Sequence, residues 1–316
     1  MKKTLITGIT GFAGSYLASH LHESGYQVSG TYISDDGITT ISGKEKFRLH
    51  KIDLLDEDKV SGLIVSEEPD YIFHLAALTS PKKSFDNPKE IFINNVSAQI
   101  NLLESVLKNK LFETKILIVS SAEVYGQVAE EDLPIDEETK YNPSNPYAVS
   151  KLAQDYLGLQ YFISHKLKIV RVRPFNHIGP GQSPEFVVSS FAKRIAEIEK
   201  GKEKVMRVGN LTSKRDFSDV KDIVVAYRLA LELGIAGEVY NLGSGRSYEI
   251  SEILEKLIKI SKVEIKIEKD PGLMRPTDNP NLICNFSKFN KLTGWKPQIP
   301  IEKTLEDTLN YWRNKA

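Results

Sequence analysis

Four side chains in the middle of the chain could do chemistry together. Tyr147 and Lys151 stand four positions apart, so on a helix they share one face. An ammonium beside a phenol, with a cationic cofactor ring nearby, would pull the phenol's pKa down towards neutrality. That suits Tyr147 as an acid or base trading a proton with a hydroxyl. Ser121 can hydrogen-bond the same substrate oxygen. Glu123, two residues on, can take a proton from carbon α to a ketone or orient a hydroxyl. Each has a plainer reading: a surface helix pair for Tyr147 and Lys151, a loop salt bridge for Glu123. Pro146 suits a helix start just before the pair, and an apolar run ending at Ser120 and Ser121 suits a strand delivering the serine to a sheet edge.

A second string, residues 8–14, reads G-x-x-G-x-x-G between an apolar strand and a helical pattern. Glycines there allow a tight turn and close approach of backbone to a pyrophosphate, and the helix N-terminus offers unpaired N–H donors. A purely structural turn is the alternative. Asp53 can accept from an adenine amino group, or serve as a turn or cap residue. Leu75, Ala76 and Ala77 are small enough after a strand for a cofactor to lie close. The expected dinucleotide contacts are Gly8, Thr10, Gly11, Phe12, Gly14, Thr31, Asp53, Leu54, Leu75, Ala76, Ala77, Tyr147, Lys151 and Pro174. The end of the second strand, Thr31 to Ser34 with Asp35 and Asp36 beyond, carries neither the acid that favours NAD nor the Arg that favours NADP, so both cofactors stay open. Glycine turn, serine and Tyr/Lys pair, in this order, specify hydride chemistry on a carbonyl or alcohol.

The elements that must position these groups alternate. Strands are expected at residues 4–7, 26–32, 47–54, 71–75, 115–120 and 168–174, the third ending at Asp53. Helices are expected from the glycine turn to about residue 23, and at 56–66, 94–109 and 148–164. Alternating strands and helices predict an α/β fold with a doubly wound parallel sheet. Right-handed crossovers then place the strand C-termini along one edge, where ligands bind. After Pro174 the pattern changes. Residues 175–182 read as a Gly/Pro-rich loop. Helices follow at 186–200, 220–233, 250–260 and 301–312, with short strands between. The expected organisation is a dinucleotide-binding domain over 1–174, with a returning segment near 210–245, and a smaller α/β substrate domain over 175–316.

Composition narrows the classes. The 316 residues carry 42 Lys plus Arg against 42 Asp plus Glu, so no basic excess points to nucleic acid or an anionic membrane. The apolar start is too short and too glycine-broken for a signal peptide, and no run reaches transmembrane length. Cys284 is the sole cysteine, which precludes an internal disulfide and fits a reducing cytoplasm. His177 has no neighbours at metal-ligand spacing; it reads as a loop-shaping residue, and no metal is expected.

With these motifs the chain resembles the extended short-chain dehydrogenase/reductase family that modifies nucleotide sugars, from Leu5 to about Trp312. The resemblance is carried by residues 8–14, 74–77, 120–126, 147–151, Arg173 to Asn176, Arg215 to Phe217, and 294–297. It implies a Rossmann-type sheet and NADP or NAD as cofactor. Residues 175–183, 208–211 and 273–276 are similar in particular to GDP-4-keto-6-deoxy-D-mannose reductases. That similarity implies that Asn176, Lys193, Arg215 and Arg275 contact a GDP-sugar, in keeping with the fit of Arg forks to pyrophosphate. It also implies reduction at C4 to GDP-D-rhamnose. GDP-mannose 4,6-dehydratases are the near neighbours. They carry a Glu matching Glu123, but arginines where this chain has residues 33–36 and an Arg-rich string where it has residues 179–182. Ala122 departs from the Asp-Glu pair of dTDP-glucose 4,6-dehydratases. UDP-sugar 4-epimerases and decarboxylases share Ser121, Tyr147 and Lys151. A non-catalytic sensor of nicotinamide redox state is the third reading, and such proteins usually lose the Tyr/Lys pair kept here. The family implies a homodimer through helices 94–109 and 148–164, with no nucleic-acid or membrane partner.

Overall fold

The computed structural model describes residues 1–41, 43–273 and 279–316. The first half runs β1 (Lys3–Thr7), α1 (Phe12–Glu23), β2 (Gln27–Tyr32), β3 (Arg48–Lys51), α2 (Glu57–Glu67), β4 (Tyr71–His74), α3 (Pro81–Asp86), α4 (Pro88–Lys108), β5 (Lys115–Val119), α5 (Pro146–His165) and β6 (Lys168–Pro174). The second half runs β7 (Asn176–Ile178), α6 (Val187–Glu199), β8 (Val205–Val208), β9 (Lys214–Asp219), α7 (Val220–Leu233), β10 (Val239–Leu242), β11 (Ser247–Glu249), α8 (Ile250–Lys259), β12 (Lys266–Lys269), α9 (Ser287–Thr293) and α10 (Ile301–Lys315).

Seven parallel strands form the main sheet in the order β10-β6-β5-β4-β1-β2-β3. Period-two alternation builds its two faces. Leu5, Ile72, Ile116, Ile118 and Ile169 face one way and pack with Val60, Leu102 and Leu103 of α2 and α4. Their neighbours Ile6, Phe73, Leu117 and Val170 face the other way, against Leu17, Leu21, Ile223 and Tyr227 of α1 and α7. Register aligns Thr7 with His74 and Val119 with Val172, so β1, β4, β5 and β6 end at one edge. The order reverses between β1 and β4, and a crevice opens there.

The chain returns to this sheet after leaving it: β10 pairs with β6, and α7 lies beside α1. The remainder forms a second lobe. A three-stranded sheet β11-β9-β7 and a two-stranded sheet β12-β8 pack with α6, α8 and α10 through Val188, Ile195, Ile253, Leu257, Leu305 and Leu309.

Three sequence expectations need correction. The third strand stops at Lys51, and Asp53 belongs to the following turn, where its Oδ1 accepts from Leu55 N at 2.9 Å. Residues 175–182 are not all loop, because Asn176–Ile178 pairs with Phe217–Asp219 from about forty residues downstream. Helix α4 starts at Pro88, six residues early, where the proline fits the first helical turn.

Candidate active site

The glycine turn is forced by geometry rather than composition. Gly8 has φ +73°, which an L side chain resists. A Cβ at Gly14 would lie 2.3 Å from Gly8 O. The helix that follows has Gly11 as N-cap, no side-chain cap and no acid in its first turn. Its first N–H groups are left to a ligand.

These residues open onto a cavity of about 520 Å³ at the sheet edge. All the residues expected to hold the dinucleotide line it: Gly8, Thr10, Gly11, Phe12, Gly14, Thr31, Asp53, Leu54, Leu75, Ala76, Ala77, Tyr147, Lys151 and Pro174. So do Ser121, Glu123 and Asn176. A cradle that a single Cβ would fill, uncapped helical amides, and small residues opposite fit a pyrophosphate-bridged dinucleotide.

Helix α5 brings the reacting groups to the same space. Asn145 caps it, with Oδ1 accepting from Ala148 N at 2.8 Å, and Pro146 takes the first helical position. The same amide donates from Nδ2 to Glu123 Oε2 at 3.2 Å. Ser121 caps the single turn Ala122–Tyr125, its Oγ accepting from Glu123 N. The Ser121 side chain stands close enough to the Tyr147 phenol to influence its ionisation, and both line the cavity. Lys151 is buried and its Nζ donates to Val119 O at 2.8 Å.

The electrostatics differ from the sequence expectation. Burial pushes the Tyr147 phenol up, the Ser121 hydrogen bond pulls it partly back, and the Glu123 charge raises it again. Lys151 does not lower it, because burial pushes Lys151 itself down to about 7. The pocket therefore holds Tyr147 protonated, the form of an acid. Beneath it, burial and then the Lys151 charge push His74 down to about 3. The neutral ring lies 2.9 Å from Thr7 Oγ1 through Nδ1 and 3.4 Å from Gln154 Nε2 through Nε2.

The substrate-side expectations divide. Asn176 lines the cavity. Lys193 lies outside its wall, beside Glu197 at 3.6 Å and over the Trp312 ring. Arg215 is buried behind the wall, Nη1 donating to Lys214 O at 2.8 Å and Asn279 O at 2.6 Å. Arg275 falls outside the described residues. His177 lines the cavity and stacks on Phe12, with centroids 6.0 Å apart and planes within 3°. Its Nδ1 donates to Phe175 O, and burial lowers its pKa. Sequence reasoning missed Gln182, Phe186, Tyr227 and Leu282 in the wall. Gln182 stands at the end of the loop-like run that was singled out. Tyr227 lies in a core-like helical pattern with no such signal. Among the described residues no His/Cys/Asp/Glu group is placed to hold a metal, and no helix is long and apolar enough to cross a membrane.

A doubly wound sheet with a dinucleotide cradle and a Ser/Tyr/Lys set at its edge defines an extended short-chain dehydrogenase/reductase. The model of the GDP-mannose 4,6 dehydratase family matches residues 5–308. The chain is 37% identical to a GDP-6-deoxy-D-mannose reductase of Pseudomonas aeruginosa, covering 100% of this chain and 98% of the relative. It is 31% identical to a GDP-mannose 4,6-dehydratase of Yersinia enterocolitica, covering 96% and 91%. The solved structure of RMD from Pseudomonas aeruginosa complexed with NADPH superposes with a TM-score of 0.87 at 36% identity, over 100% of both chains. The protein belongs to the GDP-mannose 4,6 dehydratase family.

Proposed function

We propose that the protein is an NAD(P)H-dependent reductase that converts the C4 ketone of GDP-4-keto-6-deoxy-D-mannose to the alcohol, giving GDP-D-rhamnose. The observation that carries the reading is the placement of Ser121, Tyr147 and Lys151 in one cavity with the Gly8–Gly14 cradle. Likeness to a reductase over the full chain supports it.

In this reading the α1 amides hold the pyrophosphate, Asp53 the adenine, and Ala76 and Ala77 let the ring system lie flat against the sheet edge. Bound there, the reduced dinucleotide supplies the hydride. Tyr147 gives its proton to the C4 oxygen, and Ser121 donates a hydrogen bond to the same oxygen. Lys151 would hold the ribose hydroxyls. Residues 1–174, with the strand returning near 240, carry the cofactor; residues 175–316 mainly carry the GDP-sugar, through Asn176, Lys193, Arg215 and Arg275. The partner is a second copy. Val149, Tyr156 and Ile163 recur every seventh residue of α5 and are exposed, as are Phe92 and Ile93 of α4, which suits a four-helix interface. A cytoplasmic setting suits the buried free thiol of Cys284.

The test is loss of NADPH, then NADH, absorbance with GDP-4-keto-6-deoxy-D-mannose. Stoichiometric oxidation with a reduced GDP-deoxyhexose is the expected result, and the faster coenzyme sets the preference. No oxidation overturns the reading. A second reading, a redox-neutral 4,6-dehydratase, is favoured by the Glu123 carboxylate held beside Ser121 by Asn145. It requires GDP-mannose to be consumed with no net use of added coenzyme.

A further inference from the structure

We propose that Arg173 is a positioning residue that holds the turn bearing Ser121 and Glu123 in register with the helix bearing Tyr147 and Lys151. The inference rests on the reductase reading only for its kinetic arm.

Arg173 has no exposed surface, an environment in which a guanidinium survives only when its donors are satisfied. Its donors reach both catalytic elements, and Nη1 also donates to Glu137 O at 3.3 Å in the segment that joins them. On one side Nε donates to Asp155 Oδ2 at 2.7 Å and Nη2 to Asp155 Oδ1 at 3.3 Å. Asp155 lies on α5 four residues after Lys151 and eight after Tyr147, on the same face. It is fully buried and also takes Arg171 Nη1 at 2.6 Å. On the other side Nη1 donates to Tyr125 OH at 2.9 Å. Tyr125 closes the Ala122–Tyr125 turn that Ser121 opens. Its hydroxyl passes the bond on to Asn241 Oδ1 of β10 at 2.7 Å. The guanidinium carbon lies 5.4 Å from the Tyr125 ring and 4.8 Å from the Tyr141 ring, and Nη2 donates to Tyr141 OH.

One planar fork therefore ties together both halves of a site whose reacting pair, Tyr147 and Ser121, lines one cavity. Neither Arg173 nor Tyr125 lines the cavity, so each acts through the groups it holds. A small misplacement of reacting groups costs up to about a hundredfold in rate. A lysine cannot replace the fork, because its point charge cannot serve Asp155 and Tyr125 in fixed directions.

Tyr125→Phe is the informative variant: it keeps the ring and removes the shared hydroxyl. The expected result is a fall in kcat of about tenfold or more, with the Kd for NADPH unchanged, since the glycine cradle is untouched. If Tyr125 acts through Ser121, the same change adds less than about twofold in a Ser121→Ala background. A kcat within twofold of wild type, or an equal cost in both backgrounds, overturns the proposal. Amide exchange gives a readout free of activity. Residues 121–126 exchange faster in Tyr125→Phe while residues 3–23 keep wild-type protection; equal exchange at 121–126 overturns the proposal. If wild-type protein leaves the keto sugar unreduced, the reductase reading falls, and exchange alone decides the positioning role. Arg173→Lys, where it folds, should lose at least as much kcat as Tyr125→Phe.

Discussion

The two walls of the cavity are built in different ways. On the dinucleotide side most contacts come from short stretches directly after a parallel strand: residues 8–14 after β1, 75–77 after β4, 120–123 after β5. On the substrate side the contacts come from segments that take their place only through distant partners. Asn176 is held by pairing with β9, and Leu282 by its N–H bond to Lys214 O at 3.2 Å. The first wall is set by local backbone rules, the second by packing. Damage to the first should be local and severe, whereas damage to the second should be graded.

The sharpest break lies where the walls meet. Tyr147→Phe removes the proton donor and keeps the ring. Turnover should fall by about 10²–10⁴-fold, with NADPH affinity within a few-fold of wild type by fluorescence titration. Turnover within tenfold of wild type would mean that Ser121 alone carries the proton and that Tyr147 is packing.

The cofactor wall is probed by a pair of glycines. A Cβ at Gly14 meets Gly8 O at 2.3 Å, whereas one at Gly62, inside α2, meets nothing within 4 Å. Gly14→Ala should cost about 1–3 kcal/mol of stability by forcing the backbone apart and abolish measurable NADPH binding. Gly62→Ala should gain about 0.5–1 kcal/mol from helix propensity and leave binding alone. Denaturant melts and cofactor titration check both. Equal behaviour of the two would remove the claim that the turn is sterically set.

The contrast also explains what could be read from sequence. Strand β6 and helix α7 have the bounds expected from their apolar patterns, and α5 starts at Pro146, the residue that suits a helix start, two positions before the expected range. All the expected dinucleotide contacts line the cavity, most of them because they end or directly follow a recognisable strand. Strand β7 was read as loop because its partner lies far along the chain. Tyr227 reaches the cavity from a helix whose pattern signals only core. Arg215 Nη1 donates to the carbonyls of Lys214 and Asn279, a pairing that no motif announces. Burial raises the Tyr147 phenol's pKa, and depth of burial is a tertiary quantity that a Tyr/Lys spacing does not announce.

A smaller effect probes the floor of the site. His74 carries a pKa of about 3 when folded against 6.5 when free. Above pH 6.5 it is neutral in both states and contributes no pH dependence. Below that, the unfolded chain binds a proton that the folded one refuses. Stability should therefore fall as pH drops from 6.5 towards 3, by up to about 1.4 kcal/mol per pH unit. His74→Asn should flatten this part of the stability–pH curve by up to one proton, read from urea melts at several pH values. An unchanged slope would place the acid sensitivity elsewhere.

The smallest effect tests whether the walls are independent. Lys83 of α3 pairs with Glu185 at 2.5 Å, close in sequence to the cavity residues Pro81 and Phe186, with side chains 62% and 45% exposed. Such a pair is worth at most about 1 kcal/mol, so Lys83→Ala should change the KM for the sugar nucleotide by less than about fivefold. The change should shrink further in high salt, because a Debye length near 3 Å at 1 M screens exposed charges. A KM rise beyond tenfold, abolished by salt in the wild type, would mean that charge across the mouth sets the substrate wall. The wall would then depend on the dinucleotide half for its shape, and the difference between the two sides would be one of degree.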